Sequence, residues 1–143
     1  MKAIVLGLLV ATVGTACLPP AGRQFHTTLI APNGEYSLPV TLGDETDLVV
    51  MIEPAEIDDP GGLQPTLRAD PDDPNAFIVA WLGGACDNDA ALSLRPTGPG
   101  YVLHLEVHGQ LVFGCTALGI SRAVRIKASE AIPLDAITTT GSG

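Results

Sequence analysis

The run His104-Leu105-Glu106-Val107-His108 places three potential metal ligands at alternate positions. On an extended strand, alternate residues share a face with Cα atoms ~6.6–6.8 Å apart. His104 with Glu106, or Glu106 with His108, can therefore share an ion such as zinc. The two histidines stand about 13 Å apart, too far to close on one metal along a straight strand. A working site needs ligands from a neighbouring strand. The plainer reading is the polar, solvated face of a half-buried strand, and His26 is no stronger a ligand. A second set of oxygen ligands, Asp70, Asp72, Asp73 and Asn75, sits in one compact loop, and Asp87-Asn88-Asp89 offers another. Calcium takes about six to eight oxygens, and the EF-hand order of acids and glycine is absent. Solvated loop carboxylates account for the same residues. Nucleophilic catalysis has little footing. Ser121 stands in Gly119-Ile120-Ser121-Arg122 rather than in a nucleophile elbow. No C-x-x-C pair occurs, and neither Gly61-Gly62 nor Gly83-Gly84 continues into a phosphate-binding loop. The expectation is a chain without catalytic residues or a resident cofactor, with calcium or zinc as the metals its side chains would take.

The elements that must position these residues read as short strands. Tyr101, Leu103, Leu105 and Val107 alternate with Val102, His104, Glu106 and His108, the clearest two-residue period in the chain. Other strands are expected at Phe25–Ile30, Tyr36–Leu42, Leu63–Ala69 (an edge strand, because of Pro65), Ala76–Leu82, Ala90–Arg95, Leu111–Phe113, Val124–Ala128 and Ile132–Ile137. Leu48–Ile52 is an unbroken aliphatic run that reads as a strand buried on both faces. Asn33-Gly34, Gly43-Asp44-Glu45-Thr46 and Pro96–Gly100 read as turns, and 53–62 and 70–75 as loops. Seven to nine strands between Gly- and Pro-rich turns, with no convincing helix, predict an all-β fold. The expected form is a small antiparallel β-sandwich, with a small β-barrel as the alternative.

The composition agrees. Among 143 residues, 46% are hydrophobic, enough for one core, while 16 Gly and 12 Pro favour turns over long helices. Only 4% are aromatic, little material for a sugar-binding platform. The net charge of -9 repels phosphate backbones, so nucleic acid is not an expected partner. Arg122, Arg125 and Lys127 form the one basic cluster. Arg125 and Lys127 share a strand face, where they meet an acidic partner or balance nearby carboxylates.

Residues 3–16 carry no charge and follow a single Lys2. As a helix they span ~21 Å, short of the roughly 30 Å core of a bilayer, which reads as a signal peptide. Its end, Gly14-Thr15-Ala16-Cys17, resembles the lipobox of bacterial lipoproteins, departing from it at Gly14, where an aliphatic residue is usual. The resemblance covers these four residues and the apolar segment before them. It implies cleavage before Cys17, lipidation of Cys17 and attachment to the cell membrane facing outside the cytoplasm; ordinary secretion is the alternative. With Cys17 acylated, Cys86 and Cys115 remain as an even pair for a disulfide in an oxidising compartment. Closing that loop of about 30 residues would contribute about 3.6 kcal/mol. Two buried free thiols are the competing reading.

The expected organisation is a signal peptide at 1–16, a tether at 17–24, a β-sandwich-like domain at 25–137 and a flexible tail at 138–143. The expected function is that of a non-catalytic cell-envelope lipoprotein with a binding or structural β domain and an envelope protein as partner. The alternatives are an extracytoplasmic metal- or small-ligand-binding protein, and a secreted enzyme inhibitor or hydrolase. Gly83–Asp89 and Gly114–Ser121 are the loops to inspect for contacts.

Overall fold

The computed structural model describes residues 22–32, 34–109 and 119–143. The signal segment 1–16, Cys17, the strand at Leu111–Phe113 and Cys115 lie outside these residues. The described residues form nine strands: β1 (Arg23–Ile30), β2 (Ser37–Asp44), β3 (Val49–Pro54), β4 (Thr66–Ala69), β5 (Ala76–Gly83), β6 (Asp87–Thr97), β7 (Gly100–Gly109), β8 (Ile120–Ala128) and β9 (Ile137–Ser142). They build two sheets, one in the order β1-β2-β6-β7-β9 and one in the order β3-β8-β5-β4. Among the described residues each sheet keeps two open edges. The fold is an all-β sandwich and does not close into a barrel.

Most neighbours are antiparallel, but β2 pairs with β6, and β7 with β9, in parallel. Parallel neighbours need a crossover, because a tight turn can only reverse the chain. Here the other sheet supplies it. The chain leaves β2, builds β3, β4 and β5, and returns as β6; it leaves β7, builds β8, and returns as β9.

Alternation fills the space between the sheets. Leu38, Val40 and Leu42 of β2, Leu92 and Leu94 of β6, and Leu103 and Leu105 of β7 face Phe77, Val79 and Trp81 of β5 and Val124 and Ile126 of β8. Fully burying one such side chain contributes about 1.5–3 kcal/mol. The outward positions of β7 beyond Val102 are polar, as its period predicts: Glu106 and His108 are exposed.

Five expectations are corrected. Leu48–Ile52 is not buried on both faces: β3 is an edge strand, and Val50 and Met51 are 45% and 39% exposed. A register shift between Val49 and Met51 inserts Val50 as an extra residue. That insertion lets Val49 and Ile52, three apart, both face the core. Ile132–Ile137 is not a strand. Its middle is a 3₁₀ turn, Leu134–Ala136, entered from Pro133, which has no N–H for a sheet ladder.

The tail at 138–143 is instead β9, in register with β7 from Tyr101↔Ile137 to Glu106↔Ser142. Thr138, Thr139 and Thr140 are β-branched and suit the pleat. Gly141 has φ +90°, and a Cβ there would lie 1.8 Å from the Leu105 carbonyl oxygen, so only glycine lets β9 approach β7 so closely. Finally, β1 begins at Arg23, inside the expected tether, and Gly43-Asp44 extends β2 rather than forming the turn.

Asp44 explains that last change. Its side chain is fully buried and accepts hydrogen bonds from the Thr46 N–H (2.8 Å), the Thr46 hydroxyl and the Val49 N–H (3.0 Å). The carboxylate satisfies the backbone donors of the corner that carries the chain from one sheet to the other. The tight corner also places Asp47 at φ 58°, a conformation that Asp tolerates better than most residues.

Candidate functional site

The acidic loop at 70–75 is a clip on the outer face of the second sheet. Asp70 Oδ1 accepts from the Asp72 N–H (2.9 Å) and Asp73 Oδ1 from the Asn75 N–H (3.0 Å). Their other oxygens meet cations: Asp70 Oδ2 accepts from Arg125 Nε, and Asp73 Oδ2 lies 3.1 Å from Arg125 and 2.8 Å from Lys127 Nζ. Glu53, across the ladder on β3, adds a contact of 2.9 Å to Arg125. Arg125 and Lys127 do share a face, as their spacing predicts, and there they balance carboxylates of this chain. These contacts hold Asp70 below the ordinary carboxylate range, chiefly through Arg125, and Asp73 likewise, chiefly through Lys127. The Asp70 and Asp73 oxygens that calcium would need already have partners.

The histidines are each bonded sideways. His104 Nδ1 lies 2.9 Å from Thr140 Oγ1 on β9, and His26 Nδ1 lies 3.2 Å from Thr41 Oγ1 on β2. His108 sits between two carboxylates, with Nδ1 2.6 Å from Asp89 Oδ1 and Nε2 3.1 Å from Glu106 Oε1. Hydrogen bonds donated to Asp89 first, then to Glu106, raise its pKa. His104 is not drawn into this group. Among the described residues no group of three or more His, Cys, Asp or Glu is arranged to hold a metal ion.

A different place stands out: the end of the sandwich where β5 stops, β6 and β8 start, and β1 runs out. Arg122 is 2% exposed and faces inward beside Trp81, its cross-strand neighbour on β5. It follows the parity of Val124, Ile126 and Ala128, the core face of β8. Both Arg122 Nε and Trp81 Nε1 are buried without a hydrogen-bond partner among the described residues. Arg122 enters no ion pair among them either. All 16 carboxylate side chains of the sequence lie within the described residues, so no acidic side chain elsewhere in the chain can supply one.

Asp87 is the carboxylate whose field Arg122 feels, but it accepts from the Gly84 N–H (2.7 Å). Burial lowers the Arg122 pKa, and Asp87 pulls the other way. Gly83 lets the two side chains approach: a Cβ there would stand 2.7 Å from Asp87 Oδ2 and 3.2 Å from Arg122 Cγ.

No protein-family model, curated protein or solved structure matches the chain. The chemistry of this end therefore rests on its own geometry. A cavity of about 200 Å³ opens beside Arg122, with Leu29 and Ile30 from β1, Pro54 and Glu56 from the β3 end, and Ser121 in its lining. None of the described histidines lines it, so Ser121 has no imidazole base from them.

From sequence, Arg122 counts as one member of a basic cluster, and its burial goes unseen. The signal was present in the two-residue period of β8, which sets Arg122 on the Val124 and Ile126 side, opposite Arg125 and Lys127. Of the two loops expected to carry contacts, Gly83–Asp89 does border this end through Gly83, Gly84 and Asp87. Residues 114–118 of the other lie outside the described residues.

Proposed function

We propose that the chain is a non-catalytic lipoprotein of the bacterial cell envelope, anchored through acylated Cys17, whose β-sandwich binds a ligand or partner at the Arg122 end. The observation that carries the binding half is a buried guanidinium that makes no ion pair among the described residues and whose Nε has no hydrogen-bond partner among them. Burying an unpaired charge costs stability, and a fold that retains one gains most when something from outside completes it. The lipobox-like Gly14–Cys17 carries the anchoring half. With β1 starting at Arg23, the tether between lipid and sandwich is short.

On this reading Cys86 and Cys115 form a disulfide once Cys17 is acylated, the even pair that an oxidising compartment allows to persist. The cavity beside Arg122 favours a second reading, an extracytoplasmic small-ligand-binding protein, which is compatible with the anchor. Intact-mass analysis of the full chain expressed in a bacterial host tests the anchor and the disulfide together. The expected species starts at Cys17, carries added lipid mass and lacks two hydrogens relative to the reduced form. Protein that retains Met1 and carries no lipid overturns the anchoring half.

A further inference from the structure

We propose that the cavity at the Arg122 end is a binding site for a carboxylate carried on a short, branched aliphatic stem. The inference deepens the binding half of the reading above and does not depend on the anchor.

Charge is the first ground. The Arg122 guanidinium offers planar N–H donors in a fixed fork that matches a carboxylate in two parallel hydrogen bonds. Its Nε is unpaired among the described residues, the side chain is 2% exposed, and the residue borders the cavity. Asp87 acts on it through its field but forms no ion pair with it, and accepts from the Gly84 N–H. Glu56 belongs to the lining but makes no ion pair with Arg122.

Shape and polarity are the second. Leu29 is buried, while Ile30, next to it in the lining, is 68% exposed. That is the largest exposure of any large hydrophobic residue among those described. With Pro54 it forms an apolar wall, and an aliphatic stem held by Arg122 would cover it, recovering about 25 cal/mol for each Å² removed from water. The volume, about 200 Å³, is below the roughly 300–1,000 Å³ of sites for drug-sized molecules. It suits a small acid or the last residue of a peptide chain. Both present the same group, a carboxylate next to a branched aliphatic side chain. An inorganic anion would leave the apolar wall uncovered, and a neutral apolar molecule would leave Arg122 unpaired.

Trp81 provides the readout, since it is the one tryptophan of the sequence and the cross-strand neighbour of Arg122. The full chain, purified from whichever cell fraction holds it, is titrated with N-acetyl-leucine and with N-acetyl-leucinamide while Trp81 fluorescence is followed. The proposal expects a saturable change with the acid and binding at least ~10-fold weaker with the amide, the loss of one charge-assisted contact. A peptide ending in leucine and free 4-methylpentanoate then separate the two sources by relative affinity. Arg122→Lys keeps the charge and loses the fork, so the acid should bind ~10-fold more weakly; Arg122→Met should abolish the acid-over-amide preference. No saturation by any of the three carboxylates up to about 50 mM, or equal affinity for acid and amide, overturns the proposal. The acid-against-amide comparison uses the unaltered chain, so it stands even where a variant fails to fold. If it fails while mass analysis finds the lipid, the cavity assignment falls and the anchor remains.

Discussion

Replacing Asp44 with Ala removes the acceptor for three donors at the β2–β3 corner: the Thr46 N–H, the Thr46 hydroxyl and the Val49 N–H. Val49 is fully buried, so its N–H cannot turn to water, and an orphaned buried donor costs about 1–3 kcal/mol. Thr46 is half-buried and regains part of its loss from solvent, leaving about 1 kcal/mol. The expected destabilisation is therefore about 2–4 kcal/mol. For a chain of this size each kcal/mol lowers Tm by roughly 4 °C, so the variant should melt about 8–16 °C earlier. Asp44→Asn keeps one oxygen and turns an amide N–H₂ toward one of the donors, which places it between wild type and Asp44→Ala. Thermal unfolding of the full chain and both variants, followed by circular dichroism, gives the order directly. A fall of less than about 3 °C in Asp44→Ala would refute the reasoning, because the corner donors would then be finding water.

Three further outcomes follow from the geometry. Gly141→Ala should detach β9 from β7, costing at least about 2 kcal/mol, since the residue sits at positive φ and its Cβ would meet the Leu105 carbonyl; hydrogen exchange at Thr138–Thr140 should rise to loop-like rates. Asp70 and Asp73 have folded-state pKa values below their unfolded ones, so their contribution is present above about pH 4 and is lost as pH falls through the depressed values. Arg125→Met should flatten that acid limb in a series of melts, and an unchanged limb contradicts the clip. His108 is shifted the opposite way by Asp89 and Glu106, so its contribution is full below about pH 6.5 and disappears as pH rises through the raised value. Both carboxylates and the imidazole are solvent-exposed, so the effect is small; an NMR titration of the His108 ring should show a midpoint above that of free histidine.

The sandwich itself was legible because its strands obey the two-residue period. β7 reads from its alternating Leu and His/Glu positions, and β5 from Phe77, Val79 and Trp81 ahead of Gly83. What failed to read were features set by neighbours rather than by pattern. An unbroken aliphatic run says nothing about which strand lies outermost; Leu48–Ile52 became an edge strand whose bulge releases Val50 to solvent. The threonines after Ile137 look like a loose tail until β7 offers an unpaired edge. Asp44 looks like a turn residue until the donors of the corner converge on it. The site was legible in its parts but not in its place. His104, Glu106 and His108 share a face as expected, yet β9 and β6 take up two of them. Arg122 carried the needed parity signal, but neighbouring Arg125 and Lys127 made it look like one more surface cation.

Most depends on Arg122 being a buried charge that has no ion-pair partner in the free fold and is kept for a ligand. Thermal unfolding of Arg122→Met against wild type, with no carboxylate in the buffer, addresses this directly. Methionine fills similar space without a charge to desolvate, so the expected result is a gain of about 1 kcal/mol or more, a Tm roughly 4 °C higher. A Tm several degrees lower would mean that the guanidinium stabilises the free fold through partners of its own, and the binding site at this end would lose its basis.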